Sequence, residues 1–485
     1  MANKSKPKSR EEIVKGIQKK HLILTPEGEE ILIDLDKVDE LKEVLEKLDD
    51  DALQKYIWSE ELKNIPREEP PSIKAMQRQE LIDYEPAADS GHFRFYPKGA
   101  IMYDLLIDWA YEIAVKRFGA MKIETPLIYD WGQEDIREQG KSFHERHYVV
   151  KVEDNKDKKW VLRFAGDFGL FKMLKDSKMS YKNLPVRIYE LSKSFRYEKR
   201  GELAGLRRLR GFTMPDVHSF CKGLDSGWEE FKKLYMQYDD LAKGTDVEYA
   251  LVFRVVDEFY EKHKKQIIEM LKYSNRPAFI EVLDKMKHYW AVKWESQGID
   301  SVGGNCQLST VQLDVVDAER YGIVYNDKDG KEKGCTICHS SIGAIERWLF
   351  SILENALKNE KPTIPIWLSP SQVRLIPVAN SHLNFCEEIC KELNDKGIRC
   401  DIEDREMTLG KKIRETNREW IPYVAVVGDK ELESKKLQVN FREDDKKEEM
   451  TKEELMKEVE EKTKGMPKKD LWLPKLLSQR QIFYG

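Results

Sequence analysis

Five arginines crowd one short segment of the chain. Arg196, Arg200, Arg207, Arg208 and Arg210 lie within "SFRYEKRGELAGLRRLRGFTMPDVHSF", residues 194–220. The segment opens and closes on alternating aromatic and polar residues, the pattern of two strands, with Gly201, Gly205 and Gly211 around the connection. An arginine at a strand end can aim its planar guanidinium along a groove at a phosphate and make two charge-assisted hydrogen bonds. Glu198, two residues after Arg196, shares its face of the strand and can accept from an amino group such as that of adenine. Phe212, on the returning strand, offers a ring on which a base can stack. Arg347, on a later helix that follows a glycine, can close the other side of the same nucleotide. These parts suit ATP bound without a phosphate loop, and the sequence contains no G-x-x-x-x-G-K-[ST]. The competing reading is that the hairpin arginines are only solvated or paired with surface acids, an arrangement of little net stabilising value.

The elements that must position these residues read as two folded units. From about residue 71 the pattern is that of a large α+β domain. "AIMYDLLIDWAYEIAVKRFG" (100–119) is an amphipathic helix stopped by Gly119, and "MKIETPLIYD" (121–130) alternates like a strand that Pro126 interrupts. "KKWVLRFAGDFG" (158–169) is a strand entering a loop. Residues 180–195 carry a helix-like start and the strand "VRIYELSKSF". Residues 225–295 read as mostly helical, "NCQLSTVQLDVVD" (305–317) as a strand, and "GAIERWLFSILENAL" (343–357) as a buried helix.

The character changes near residue 363. "QVRLIPVA", "IRCDIE" and "IPYVAVVG" are strands separated by two helices, the first of which takes Ser381 as N-cap and Gly397 as its stop. This rhythm predicts a small α/β domain with a partly parallel sheet. Residues 441–466 read as a solvated loop and a surface helix. Residues 1–70 form a helical, charged N-terminal region that ends in the Pro-rich linker "IPREEPP" (65–71).

Composition narrows the class. The chain has 485 residues, 40% hydrophobic and 35% charged, with a net charge of −5, so any nucleic-acid contact has to come from local patches. Seven cysteines, an odd number, read as reduced thiols in a cytoplasmic protein. Cys335 and Cys338 make one CxxC, half of a zinc knuckle. The basic start "MANKSKPKSR" has no apolar run behind it, and no stretch approaches the roughly 18 apolar residues of a membrane span.

Several separated segments resemble one family. "GAMKIETP", "FRYE…LRRLRGFTMPDVHSF" and "GAIER" are similar to motifs 1, 2 and 3 of the class II aminoacyl-tRNA synthetases, and more closely to threonyl-tRNA synthetases of the archaeal type. "STVQLD" and "TLGKKIRETNREWIPYVAVVGDKELES" carry the resemblance further, the latter to the family's anticodon-binding domain. It covers roughly residues 72–443. The resemblance implies an antiparallel catalytic sheet in an α+β domain over 71–362 and an α/β anticodon-binding domain over 363–485. It implies ATP, Mg²⁺, L-threonine and tRNA(Thr) as ligands, a homodimer, and no membrane.

Carried over residue by residue, the family roles place Arg196 on the α-phosphate and Arg347 on the γ-phosphate side. Glu198 falls on the adenine amino group, Phe212 on the ring, and Arg208 on the nucleotide or adenylate. Asp216 would take the amino acid's α-amino group, and Gln307 and Gln312 would line the pocket. His144 and His147 are candidates for assisting acyl transfer, against the plainer reading of surface histidines. In the C-terminal domain Arg414 and Glu431 match anticodon-reading positions, whereas Trp420 and Asn440 stand where the family often has arginines. Met214 replaces a glutamine expected in motif 2.

Family members hold zinc with one cysteine and two histidines. Here His218 fits the first histidine, and the cysteine position falls on Asp167. The second histidine falls on Cys338, or on His339 if one residue is deleted before Gly343. Aspartate is a legitimate though harder zinc ligand. About 70 residues precede the linker, too few for the family's N-terminal editing domain. A separate protein is therefore expected to clear mischarged serine. The rival readings are a non-catalytic tRNA-binding paralogue, which could lose the phosphate arginines cheaply, and a class II enzyme for another amino acid such as proline or serine.

Overall fold

The computed structural model describes residues 16–64, 68–141, 146–153 and 155–483. Its centre is a ten-stranded sheet. In chain order the strands are β1 (Lys19–Leu24), β2 (Glu30–Ile33), β3 (Met121–Ile123), β4 (Val186–Phe195) and β5 (Gly211–Cys221), followed by β6 (Tyr249–Val256), β7 (Ala278–Leu283), β8 (Trp290–Ile299), β9 (Asn305–Asp314) and β10 (Thr336–Ser341). They lie in the order β2-β1-β7-β6-β8-β9-β10-β5-β4-β3. Pairing is antiparallel except for β6 with β7 and β3 with β4.

The two faces of this sheet have different covers. Helices α1 (Pro97–Tyr111), α3 (Leu224–Gly244), α4 (Asp257–Ser274) and α5 (Ile345–Leu357) bury one face in a continuous apolar core with Val217, Leu251, Phe253, Trp294 and Leu313. Side chains alternate along a strand, so the neighbours of those residues point the other way. Over β6 and β7 that second face is covered by Leu41, Leu45, Leu53, Tyr56 and Ile57 of the N-terminal segment. At its other end helix α2 (Asp167–Lys175) packs Leu170, Phe171 and Leu174 on Ile188, Phe220 and Ile337. Between these two covers the sheet is open, and the cleft lies there.

The expected division at residue 70 does not separate structural layers. β1 and β2 are edge strands of the catalytic sheet itself, β1 pairing with β7. The region expected to be helical and charged is a hairpin followed by short helices, Val38–Glu46 and Asp51–Tyr56. Residues 65–67 of the expected linker lie outside the described residues. The helical expectation for 225–295 is also corrected: β6, β7 and most of β8 fall within it. "ALVFRVV" is buried on both faces, and a doubly covered strand reads as a continuous apolar run that resembles its helical neighbours. No helix forms at 180–185, where the chain makes turns before β4. The strand expected over 121–130 is split by Pro126 into β3 and Ile128–Asp130, which belong to different sheets. Helix α1 runs on through a wider π turn, Glu112–Arg117, to Gly119 at φ +77°.

The C-terminal unit has the expected mixed sheet. Val373–Pro377 lies between Cys400–Ile402 and Tyr423–Val427, both parallel to it. Lys436–Phe441 and Lys447–Thr451 extend the sheet antiparallel, the last in a segment expected to be loop. The helix Leu383–Asp395 has His382, not Ser381, at its N-cap position and no side-chain cap, because a short 3₁₀ turn, Asn380–His382, precedes it. Gly397 follows it at φ +75°. Among the described residues no helix is long and apolar enough to cross a membrane.

Candidate active site

The hairpin places its arginines by register. β4 and β5 pair from Phe195–Gly211 to Val186–Phe220, and residues 196–210 form the loop beyond the last rung. At the mouth of the loop the Arg196 guanidinium lies 5.1 Å from the Phe212 ring centroid, and its Nε donates to the Phe164 carbonyl at 3.0 Å. Arg347 faces the same space from the first turn of α5. It is held there by Nε donating to the Arg207 carbonyl and Nη1 donating to the Gln307 carbonyl, both at 3.0 Å. Burial and the nearby Arg347 charge both lower the Arg196 pKa. Two guanidiniums held this close leave a positive field that a polyphosphate would relieve. Gly343 permits this approach of α5. At φ +102° a Cβ there would lie 2.6 Å from the Leu308 carbonyl oxygen.

The other arginines divide by partner. Arg208 donates to Glu198 Oε2 through Nε at 3.2 Å and Nη2 at 3.0 Å, and Arg146, which the sequence did not suggest, joins the same oxygen. Glu198 thus lines the cleft with one oxygen already engaged. Arg207 pairs with Asp300 at 2.9 Å. Arg210 is buried, forked on Asp89 at 2.7 and 2.8 Å, and donates to the Glu198 carbonyl, so it holds the loop from within and is not a surface contact. Arg200 is exposed.

The far end of the cleft is acidic and imidazole-rich. β5 and β10 pair Asp216 with Ser341 and His218 with His339. Strand register therefore decides between the two candidate ligands. His339 shares the cleft face with His218, their ring centroids 4.9 Å apart. Cys338, one residue earlier, points to the helix-covered face and is fully buried in the main core, so it is not a ligand of this site. Cys335 packs under α2, and the CxxC pair makes no zinc knuckle.

Asp167, in the first turn of α2, brings its Oδ1 to 3.3 Å from His218 Nε2. Asp314 Oδ2 lies 2.8 Å from His339 Nε2. Desolvation opposes the Asp167 charge, yet the His218 hydrogen bond holds its pKa down at about 2. Burial, reinforced by the Asp167 charge, pushes Asp216 up to about 8. Burial lowers His218, whereas Asp314 raises His339 against the effect of burial. Asp167 thus keeps its charge against burial, and a cationic ligand would favour the charged form of Asp216 as well. Gly166 keeps this end open: a Cβ there would lie 2.4 Å from Ser192 Oγ and 3.1 Å from Asp216 Oδ2.

Both ends open into one cleft of about 800 Å3, lined also by Gln307, Gln312 and Met214. The Tyr289 hydroxyl donates to Gln312 Oε1 at 2.7 Å. A third wall was not foreseen. Tyr56, Ser59 and Glu60 line the cleft from the N-terminal segment, next to Arg254, Lys293 and Glu295, and Arg254 donates to the Tyr56 hydroxyl at 3.2 Å. Ser59 Oγ donates to Asn305 at 2.9 Å, and Arg254 pairs with Glu61 at 2.9 Å and Glu281 at 3.2 Å. The alternation in "VKWES" could have placed Lys293 and Glu295 on one strand face. Nothing local marks Ser59, whose partner lies 246 residues away.

His147 packs between Trp131 and Phe164 with tilted rings, centroids at 4.6 and 5.2 Å, and does not line the cleft. His144 lies outside the described residues. Arg414 is exposed on the helix Leu409–Arg418. The Glu431 carboxylate accepts from the Gly428 backbone N–H at 2.9 Å and caps a short helix. Trp420 is buried at φ +55°, a packing role rather than a reading one.

Comparison with known proteins agrees with this layout. Residues 148–356 match the family model of the tRNA synthetase class II core domain (G, H, P, S and T), and residues 372–462 match the anticodon binding domain. The chain is 44% identical over 420 residues to the threonine–tRNA ligase of Methanosphaera stadtmanae, covering 86% of this chain and 68% of that protein. It is 42% identical over 473 residues to that of Pyrococcus furiosus, covering 96% and 74%. A solved structure described as the RNA binding domain of threonyl-tRNA synthetase from Cryptosporidium parvum superposes with a TM-score of 0.70 at 23% identity, over 81% of this chain and 98% of that one. Prolyl-tRNA synthetase of the same organism superposes at 0.66 and 15%, over 80% and 76%. At these identities the two structures show the fold alone.

Proposed function

Because this chain belongs to the threonine–tRNA ligase family of class II aminoacyl-tRNA synthetases, we propose that its cleft activates L-threonine with ATP and passes the threonyl group to tRNA. The observation that carries the reading is the polarity of one continuous cleft. Paired guanidiniums and an aromatic ring lie at one end, and carboxylates with two histidines lie at the other. The first end suits a nucleotide, and the second suits a zwitterion with a hydroxyl.

The threonine carboxylate is already a nucleophile, so the first step needs no general base. One of its oxygens attacks the α-phosphorus, the bond to the β-phosphate bridging oxygen breaks, and pyrophosphate leaves. Mg²⁺ arrives with ATP as part of the substrate. Arg196 and Arg347 neutralise charge as it redistributes, and Phe212, beside Arg196 at the same end of the cleft, offers its ring to the base. Asp216 holds the α-ammonium. In the second step a terminal ribose hydroxyl of tRNA(Thr) attacks the carbonyl carbon and AMP leaves. Exposed Arg414 remains the candidate anticodon contact.

Asp167, His218 and His339 would hold zinc. Their ligand atoms lie within 4.8 Å of one another, and one histidine is already oriented by a carboxylate. Bound there, the ion supplies a Lewis acid with open positions for the amino and hydroxyl groups of threonine. A site that engages the hydroxyl rejects valine strongly, but loss of one methyl costs only about 1–3 kcal/mol. In ATP–pyrophosphate exchange, threonine should therefore support turnover, serine should follow within roughly 10–200-fold, and valine should give none. Absence of threonine-dependent exchange would refute the function.

Clearance of seryl-tRNA lies, on this reading, outside these 485 residues. The support is that the described residues 16–64 are used as edge strands and a cover for the catalytic sheet. These 485 residues should leave Ser-tRNA intact in a deacylation assay, and rapid hydrolysis would count against the assignment. A homodimer is supported by the exposed apolar edge at β3, where Met121 is 57%, Leu127 44% and Ile128 48% exposed. Sedimentation should give twice the chain mass, and a monomer at micromolar concentration would exclude it.

A further inference from the structure

Among the described residues, the donors gathered at the acidic end include no sulfur. Asp167, His218 and His339 converge, whereas Cys338 and Cys335 are committed to apolar clusters on other sides. The carboxylate has its own support. Gln139 Nε2 donates to Asp167 Oδ2 at 3.3 Å, and the Tyr321 hydroxyl donates to Gln139 Oε1 at 2.6 Å. Gln139 and Tyr321 are both buried. With Oδ2 engaged, Oδ1 is the oxygen presented to the histidines, 3.3 Å from His218 Nε2. Asp314 does the equivalent for His339 by taking Nε2, which leaves Nδ1 to donate its lone pair.

We infer that this chain holds its metal through two imidazole nitrogens and one carboxylate oxygen, with Gln139 and Tyr321 as positioning residues that keep Asp167 monodentate. The inference rests on the cluster being the metal site of the proposed function. Its chemical consequence is a change of metal class. A thiolate favours zinc over harder ions, and an N,N,O set with open positions loses that preference. The site therefore takes Co²⁺ and Fe²⁺ as well as Zn²⁺, with a narrower gap between them than a thiolate site shows.

Metal-free protein titrated with Co²⁺ provides the test. One ion per chain should bind, with visible d–d bands and no sulfur-to-cobalt charge-transfer band in the near ultraviolet. Asp167→Cys should create that band and widen the preference for Zn²⁺ over Co²⁺. Gln139→Leu and Tyr321→Phe should each weaken cobalt binding, by about 10–100-fold for the former, with the thermal midpoint kept. A charge-transfer band in the unaltered protein would overturn the donor set. Unchanged cobalt affinity in both positioning variants would overturn their role. No cobalt uptake would overturn the site, and threonine-dependent exchange on the same sample separates that failure from failure of the function itself.

Discussion

Arg196→Ala should lower threonine-dependent ATP–pyrophosphate exchange by roughly a thousandfold or more, equivalent to about 4 kcal/mol of transition-state stabilisation. The size follows from its position. Arg196 is the guanidinium that both covers the Phe212 ring and shares the phosphate end with Arg347. Its loss removes charge where charge moves in the reaction and removes the cation that lies against the Phe212 ring. Arg196→Lys should recover only part of the rate, because an ammonium has no planar fork to span two oxygens or to lie flat on a ring. Arg200→Ala, at an exposed position of the same loop, should leave exchange within a factor of about two. Exchange by Arg196→Ala within tenfold of the unaltered protein, with an unchanged unfolding midpoint, would remove Arg196 from the phosphate site.

The parts of this site that were legible in the sequence are those that share a strand or a loop. Arg196, Glu198, Phe212, Asp216 and His218 lie on one hairpin, and strand alternation alone puts the last three on one face. Cys338 and His339 show the limit. They are adjacent, a slip of one residue turns a side chain to the opposite face, and only pairing with β5 fixes which one meets His218. Arg210 shows another limit. It reads like its neighbours Arg207 and Arg208, yet its partner Asp89 comes from more than a hundred residues away and makes it structural. The N-terminal wall of the cleft was hidden for the same reason, because Ser59 and Glu61 gain their roles only from Asn305 and Arg254. The fold followed this rule as well. Amphipathic helices and half-exposed strands carried their period, whereas β6 and β7, buried on both sides, did not.

Arg374→Ala should cost about 3–5 kcal/mol of stability in the C-terminal unit, the largest loss expected from any single surface-remote change there. Arg374 is completely buried on an interior strand of that sheet. It forks onto Asp401 at 2.7 and 2.9 Å and onto Glu419 at 3.0 and 3.2 Å. Glu419 also receives Lys98, from the first turn of α1, at 3.4 Å, so the same carboxylate ties the C-terminal unit to the catalytic one. Removing the guanidinium leaves a buried Asp401 with Arg480 at 2.9 Å as its one remaining cation among the described residues and the Ser371 hydroxyl at 2.6 Å. The pH dependence distinguishes this mechanism from simple loss of packing. Burial works against both carboxylates, but Arg374 holds each below its ordinary range. A depressed folded pKa contributes stability that is full above the unfolded values of about 3.9 and 4.3 and is lost as pH falls below them. The gap between Arg374→Ala and the unaltered protein should therefore be widest near neutrality and shrink on acidification towards pH 3. Hydrogen exchange of Val373–Pro377 against denaturant at the two pH values reads it directly. A gap independent of pH would assign the loss to the cavity, and a loss under about 1 kcal/mol at neutrality would mean that Arg480 and Lys98 suffice to hold the two acids.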